Sequence, residues 1–188
     1  MKIIFFFDFH DTIVNSSKAW VKAFKYFCPK KEYTKIKKLY KNKTSRKELA
    51  KMINVDYLDV ENKYRENLKP NRSILNLLIR CQNNYEVIIL SNSSKEKLHK
   101  DINKIGIDIK TIYSKENGVK PDPKYIDKLI SRHKADLFIM IGNDEREDCL
   151  IHKKIKCFII KNKIDFLIIP YKVRKTIKNF EKIGKLTN

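Results

Sequence analysis

Four short apolar runs, each followed by a polar turn and an amphipathic segment, constrain this chain more than any other feature. Residues 3–7, 87–90, 137–141 and 157–160 are rich in β-branched or aromatic side chains, as strands covered on both faces must be. Thr111-Ile112-Tyr113 is a candidate fifth strand. Helical spacing of apolar residues is expected over 73–83, 95–105, 123–133 and 145–153. Strand, helix, strand in that order implies a parallel sheet with right-handed crossovers, so the expected architecture is a doubly wound α/β core.

The stretch 15–70 breaks this rhythm, because it contains no strand pattern. It reads as helices over 17–27, 34–41, 45–53 and 57–68, the third opened by the cap signal Thr44-Ser45. Such a length is too great for a connection between neighbouring strands. Residues 15–70 are therefore expected to form a small helical cap, and 1–14 with 71–188 the α/β core. Pro29 and Lys69-Pro70-Asn71 mark breaks. From Val173 onward a basic amphipathic helix is expected, with Val173, Ile177, Phe180 and Ile183 as a packing stripe.

Composition narrows the class. With 188 residues and 42% hydrophobic content, the chain can bury a core. Cys28, Cys81, Cys149 and Cys157 are widely spaced without a Cys-x-x-Cys, which indicates neither a zinc cage nor a disulfide framework and predicts reduced thiols. The apolar runs are too short to cross a bilayer, and Asp8 interrupts the apolar start that a signal peptide would need. The expectation is a cytoplasmic protein with no membrane partner. The formal net charge is +20, which would attract polyanions. Yet lysine is spread evenly, as in Lys35-Ile36-Lys37-Lys38 and Lys161-Asn162-Lys163-Ile164, so compositional bias accounts for the charge better than a nucleic-acid patch does.

Chemistry-bearing residues gather at the expected carboxyl ends of strands, where open α/β sheets build their sites. Asp8-Phe9-His10-Asp11-Thr12 follows the first run, and alternation places Asp8, His10 and Thr12 on one side. Five apolar residues leading into a carboxylate make Asp8 costly without a purpose. Leu90-Ser91-Asn92-Ser93-Ser94 ends the second run, where a hydroxyl beside free helix amides suits a phosphate oxygen. In Gly118-Val119-Lys120-Pro121-Asp122-Pro123 two prolines stiffen the turn that carries Lys120. Gly142 then opens the loop Asn143-Asp144-Glu145-Arg146-Glu147-Asp148, whose clustered carboxylates call for a cation or a buried base.

These four segments, in this order and over residues 3 to about 150, resemble the motifs of the haloacid dehalogenase (HAD) superfamily of hydrolases. The form Gly-x-Lys-Pro-Asp-Pro is similar to that of the branch with a helical cap between the first two motifs, in line with the strandless stretch at 15–70. The resemblance implies a magnesium-dependent phosphatase acting on a small phosphomonoester, with the cap screening the site and choosing the substrate. Asp8 would be the nucleophile, Ser91, Asn92 and Lys120 would hold the phosphoryl group, and Mg2+ would sit among Asp8, the His10 carbonyl, Asn143 or Asp144, and Asp148.

Two departures stand out. His10 occupies the position of the family's second Asp, the usual proton donor, and Asn143 stands where a metal-binding Asp is usual. An imidazole can still do proton work near neutral pH. The alternative is a catalytically impaired HAD fold that binds a phosphorylated ligand or nucleic acid; a third class is hydrolysis of carbon–halogen bonds. Asp11 replaces a usual Gly and is expected to face away from Asp8. His99, His133 and His152 are expected to be solvated.

Overall fold

The computed structural model describes residues 1–149 and 152–186, which form two compact units, 1–13 with 70–188 and 14–69. In the first unit five parallel strands, β1 (Ile3–Phe7), β2 (Glu86–Leu90), β3 (Thr111–Tyr113), β4 (Leu137–Gly142) and β5 (Ile155–Ile159), lie in the order β3-β2-β1-β4-β5. Strand β1 is central: Phe5 pairs with Val87 on one side and Ile139 on the other. All five of its residues are buried, which is why the run carries no polar alternation. The order reverses between β1 and β4, and the carboxyl ends of those strands form the crevice where such sheets place ligands.

Seen along the strands, side chains divide by period two. Ile4, Phe6, Ile88, Leu90, Phe138 and Met140 pack with Tyr125, Ile126, Leu129 and Ile130 of a helix over Pro123–His133. That helix starts where the prolines require: the Asp122 side chain accepts from the Lys124 amide and Pro123 fills the first helical turn. The helices at Arg72–Gln82 and Lys95–Ile105 flank β2 in sequence, the second ending on Gly106 in the left-handed conformation (φ 67°) that glycine adopts without strain. Among the described residues no helix is long and apolar enough to cross a membrane.

The second unit is helical, with helices at Ser16–Phe27, Lys30–Lys41, Arg46–Met52 and Tyr57–Asn67. Trp20 stacks on Tyr64 with centroids 4.2 Å apart, and Arg46 lies over the Trp20 ring at 5.0 Å. Ser45 caps the third helix through the Glu48 amide, as its spacing predicts. The Asn15 amide donates to the Lys69 carbonyl at 3.0 Å and ties the ends of the unit.

Several expectations need correction. The second helix of this unit begins at Lys30, not 34, because Pro29 is compatible with a helix start. The helix expected over 145–153 is one turn, Glu145–Asp148; residues 150 and 151 lie outside the described ones. Cys149 beyond it is bonded to Cys157, contrary to the expected reduced thiols, since the turn Glu145–Asp148 packs on β5 and their Cα atoms lie 5.5 Å apart. Cys28 and Cys81 are free and buried. Strand β5 starts at Ile155, two residues early. The last helix spans Asp165–Leu186 and carries Pro170 inside it. The proline sits in its second turn, where it removes only the bond to Phe166. Ile169 and Val173 are buried, and the Ile183 side chain lies outside the described ones. His133 is not solvated: it meets Glu86 Oε1 at 2.8 Å and the Tyr113 hydroxyl at 3.0 Å.

Candidate active site

Asp8 leaves the end of β1 with its amide donating to the Ile141 carbonyl of β4 at 2.9 Å, so the backbone of the crevice aims it. The residue is buried, 8% exposed. Oδ1 accepts from Lys120 Nζ at 2.9 Å, and Oδ2 accepts from the Thr12 hydroxyl at 3.2 Å. Thr12 therefore acts inside the site rather than only sharing its face. Asp11 between them has φ 60°, a left-handed turn that Asp tolerates in place of glycine. Burial pushes the Asp8 carboxyl up from the usual range; Lys120 opposes this and the nearby Asp148 adds to it.

Lys120, 2% exposed, bonds both Asp8 and Asp148. Burial alone would depress its ammonium, but the two carboxylates outweigh that and hold its pKa above the ordinary lysine value. Its main chain is clamped by one side chain: Asn92 Oδ1 accepts from the Lys120 amide at 2.8 Å, and Asn92 Nδ2 donates to the Lys120 carbonyl at 3.0 Å. Nδ2 also reaches Glu147 Oε2 at 3.1 Å. Asn92 is thus engaged in holding Lys120. The Lys120–Pro121 peptide is cis.

The β4 loop folds back over its own strand end. Asp148 Oδ1 faces Lys120, while Oδ2 accepts from the amides of Asn143 at 2.9 Å and Asp144 at 3.0 Å. Both oxygens of Asp148 are thereby held by protein donors. Gly142 permits this approach, since a Cβ there would lie 2.2 Å from Asp148 Oδ2. Asp144 caps the helical turn through the Arg146 amide. The Asn143 amide lies where three oxygens meet: 3.2 Å from Asp8 Oδ2, 3.0 Å from the His10 carbonyl and 3.1 Å from Thr12 Oγ1. Hydrogen bonding turns its Nδ2 toward them.

Asp8, His10, Ser91, Asn92, Ser93, Asn143, Asp144 and Asp148 share one cleft of about 210 Å3. Ser91, 3% exposed, ends β2 and accepts from the Ser93 amide at 3.3 Å. Every site residue expected from sequence lines this cleft except Lys120, which is buried and bonded to Asp8. A larger cleft of about 450 Å3 runs between the helices at Arg72–Gln82 and Asp165–Leu186 and holds none of these residues. Sequence reasoning missed Asp101, which meets His10 Nε2 at 2.9 Å, and Ser93, which meets Nδ1 at 3.0 Å. Asp101 did leave a signal: it is charged yet lies between Leu98 and Ile102 on the buried face of its helix.

The central parallel sheet, with an ion-paired aspartate, lysine and aspartate at its reversing point, is a Rossmann-like fold. The model of the haloacid dehalogenase-like hydrolases matches residues 4–161, and the chain belongs to that family. Its fold is similar to that of a haloacid dehalogenase-like hydrolase from Streptococcus pneumoniae, with TM-score 0.63, 16% identity, and 94% of this chain and 98% of that one covered. A HAD phosphatase from Thermococcus onnurineus matches with TM-score 0.52, 18% identity and coverage of 79% and 80%. A magnesium-bound protein of this type from Bacillus subtilis matches with TM-score 0.59, 18% identity and coverage of 78% and 82%. No curated protein matches the chain.

Proposed function

We propose that this hydrolase cleaves small phosphomonoesters through an aspartyl phosphate on Asp8. The observation that carries this reading is the Asp8 carboxylate, ion-paired with Lys120 at 2.9 Å and open to a small polar cleft edged by Ser91. One Asp8 oxygen attacks phosphorus while the Ser91 hydroxyl holds a phosphoryl oxygen and the Lys120 ammonium, bonded to Asp8, offsets the charge that gathers there, so positioning and charge supply most of the rate. The bond from phosphorus to the leaving oxygen breaks with its electron pair on that oxygen. His10 donates a proton there, then takes one from the water that splits the intermediate. The Thermococcus relative is a phosphatase by name.

Magnesium fits the donors present, which are all oxygens, as a hard cation requires. Asp8 Oδ2, the His10 carbonyl and Asn143 would hold it, the Asn143 amide turning Oδ1 inward, with Asp144 beside them in the loop. When bound, it supplies positive charge to the phosphoryl oxygens. Asp148, with both oxygens on Lys120 and main-chain amides, supports the site by holding Lys120.

The test is hydrolysis of p-nitrophenyl phosphate and of a broad panel of phosphomonoesters with Mg2+ supplied. Turnover abolished by Asp8→Asn is expected; no turnover on any member would overturn the reading. Asn143 favours a second reading, a phosphate binder without turnover, because its amide nitrogen fills the position between Asp8 Oδ2 and the His10 carbonyl. Calorimetric binding of orthophosphate by a protein with no turnover would select that alternative.

A further inference from the structure

We propose that Asp101 is the positioning residue of His10 and that the line Asp101–His10–Ser93 delivers the leaving-group proton from His10 Nδ1. Asp101 belongs to the helix Lys95–Ile105, is 0% exposed, and stands 91 residues from His10 in sequence. A carboxylate is not removed from water without a partner that compensates. Its Oδ2 lies 2.9 Å from His10 Nε2, and Ser93 Oγ lies 3.0 Å from His10 Nδ1. The Phe9 ring holds the imidazole edge-on at 5.0 Å between centroids.

The geometry assigns the two nitrogens different work. A carboxylate oxygen accepts, so Nε2 is the ring nitrogen that donates to Asp101. Nδ1 is then the nitrogen that meets Ser93, which lines the same cleft as Asp8. In the transfer Ser93 Oγ accepts the Nδ1 proton as its own hydrogen passes to the leaving oxygen, whose new O–H bond is made with the electron pair of the broken P–O bond. Asp101 therefore does for an imidazole what second-sphere carboxylates do for metal-bound histidines: it sets tautomer and ring angle.

This inference rests on the phosphatase reading for its rate effects but not for its structure, and the test separates the two. Imidazole 15N shifts of the intact protein should show the hydrogen of neutral His10 on Nε2. A hydrogen on Nδ1 would overturn the proposal whether or not the protein is an enzyme. With Mg2+ supplied, rapid-quench measurement of the first turnover should show Asp101→Asn, which is isosteric, slowing alcohol release from an alkyl phosphate, whose leaving oxygen needs a proton, about 100-fold. The nitrophenolate burst from p-nitrophenyl phosphate should slow no more than about threefold, because that anion leaves unaided. His10→Ala should show the same pattern, and the double variant no further loss. Equal losses on both substrates, or losses that multiply in the double variant, would overturn the role of Asp101. A wild-type protein inactive on both substrates would instead overturn the phosphatase reading.

Discussion

Gly142→Ala tests how the site is built, because the sign it predicts opposes the ordinary effect of the change. Replacing glycine in a strand by alanine stabilises by about 0.5–1 kcal/mol on conformational entropy alone. Here the new methyl would meet Asp148 Oδ2 at 2.2 Å, Cγ at 2.3 Å and Cβ at 2.5 Å. The backbone cannot yield, since Gly142 is in register with Ile159 and its carbonyl accepts from the Ile160 amide at 2.8 Å. Asp148 must therefore leave, giving up Lys120 and the amides of Asn143 and Asp144. Breaking a buried pair of this kind costs about 3–5 kcal/mol, so a net loss of about 2–4 kcal/mol is expected. Equilibrium urea unfolding should show the midpoint falling by about 1–2 M. In an Asp148→Gly background, where the three atoms nearest the methyl are gone, the substitution should become neutral or stabilising. A Gly142→Ala protein as stable as the parent, or losses that simply add in the double variant, would refute the reasoning.

Tyr125→Phe should raise stability by about 1 kcal/mol in thermal or urea unfolding, because the buried Tyr125 hydroxyl has no hydrogen-bond partner among the described residues and the ring packing survives. Burial pushes the Cys81 thiol up to about 12 from 9.0. A thiol raised in this way contributes stability that is complete below pH 9 and is lost as pH rises from 9 toward 12, at about 1.4 kcal/mol per unit. The stability difference between the parent and Cys81→Ala, followed by urea unfolding across that window, should shrink accordingly; a constant difference would contradict it. Asn92→Ala removes both bonds to the Lys120 main chain, and should cost about 2 kcal/mol and, on the proposed function, lower kcat on p-nitrophenyl phosphate about tenfold or more. Unchanged kcat would show that Lys120 is held without Asn92.

How much was legible in the sequence follows from the range of the interactions involved. Strands β1, β2, β3 and β4 and the helices at 73–83, 95–105 and 123–133 were readable, because period and flanking turns are local. The short turn at Glu145–Asp148 was not. Its length is decided by Asp148 turning back to Lys120 and by Cys149 meeting Cys157, contacts made by other parts of the chain. The same holds for the early start of the last helix, where the proline obscured a pattern that burial of Ile169 and Val173 sustains.

At the site, the sequence by itself determined the residue types and much of their placement: Asp8, Ser91 and the loop after Gly142 follow from apolar runs that stop in polar residues, and Lys120 from the turn that two prolines stiffen. Which atoms meet was decided only in three dimensions. The parallel order β3-β2-β1-β4-β5 brings residues more than a hundred positions apart within 3 Å, as Asp8 and Lys120 are. Asp148 turned out to hold Lys120, Asn92 to clamp its backbone, and Asp101 to face His10. None of these pairings has a periodic signature, because hydrogen bonds between side chains depend on register and rotamer, and those are set when the sheet closes around β1.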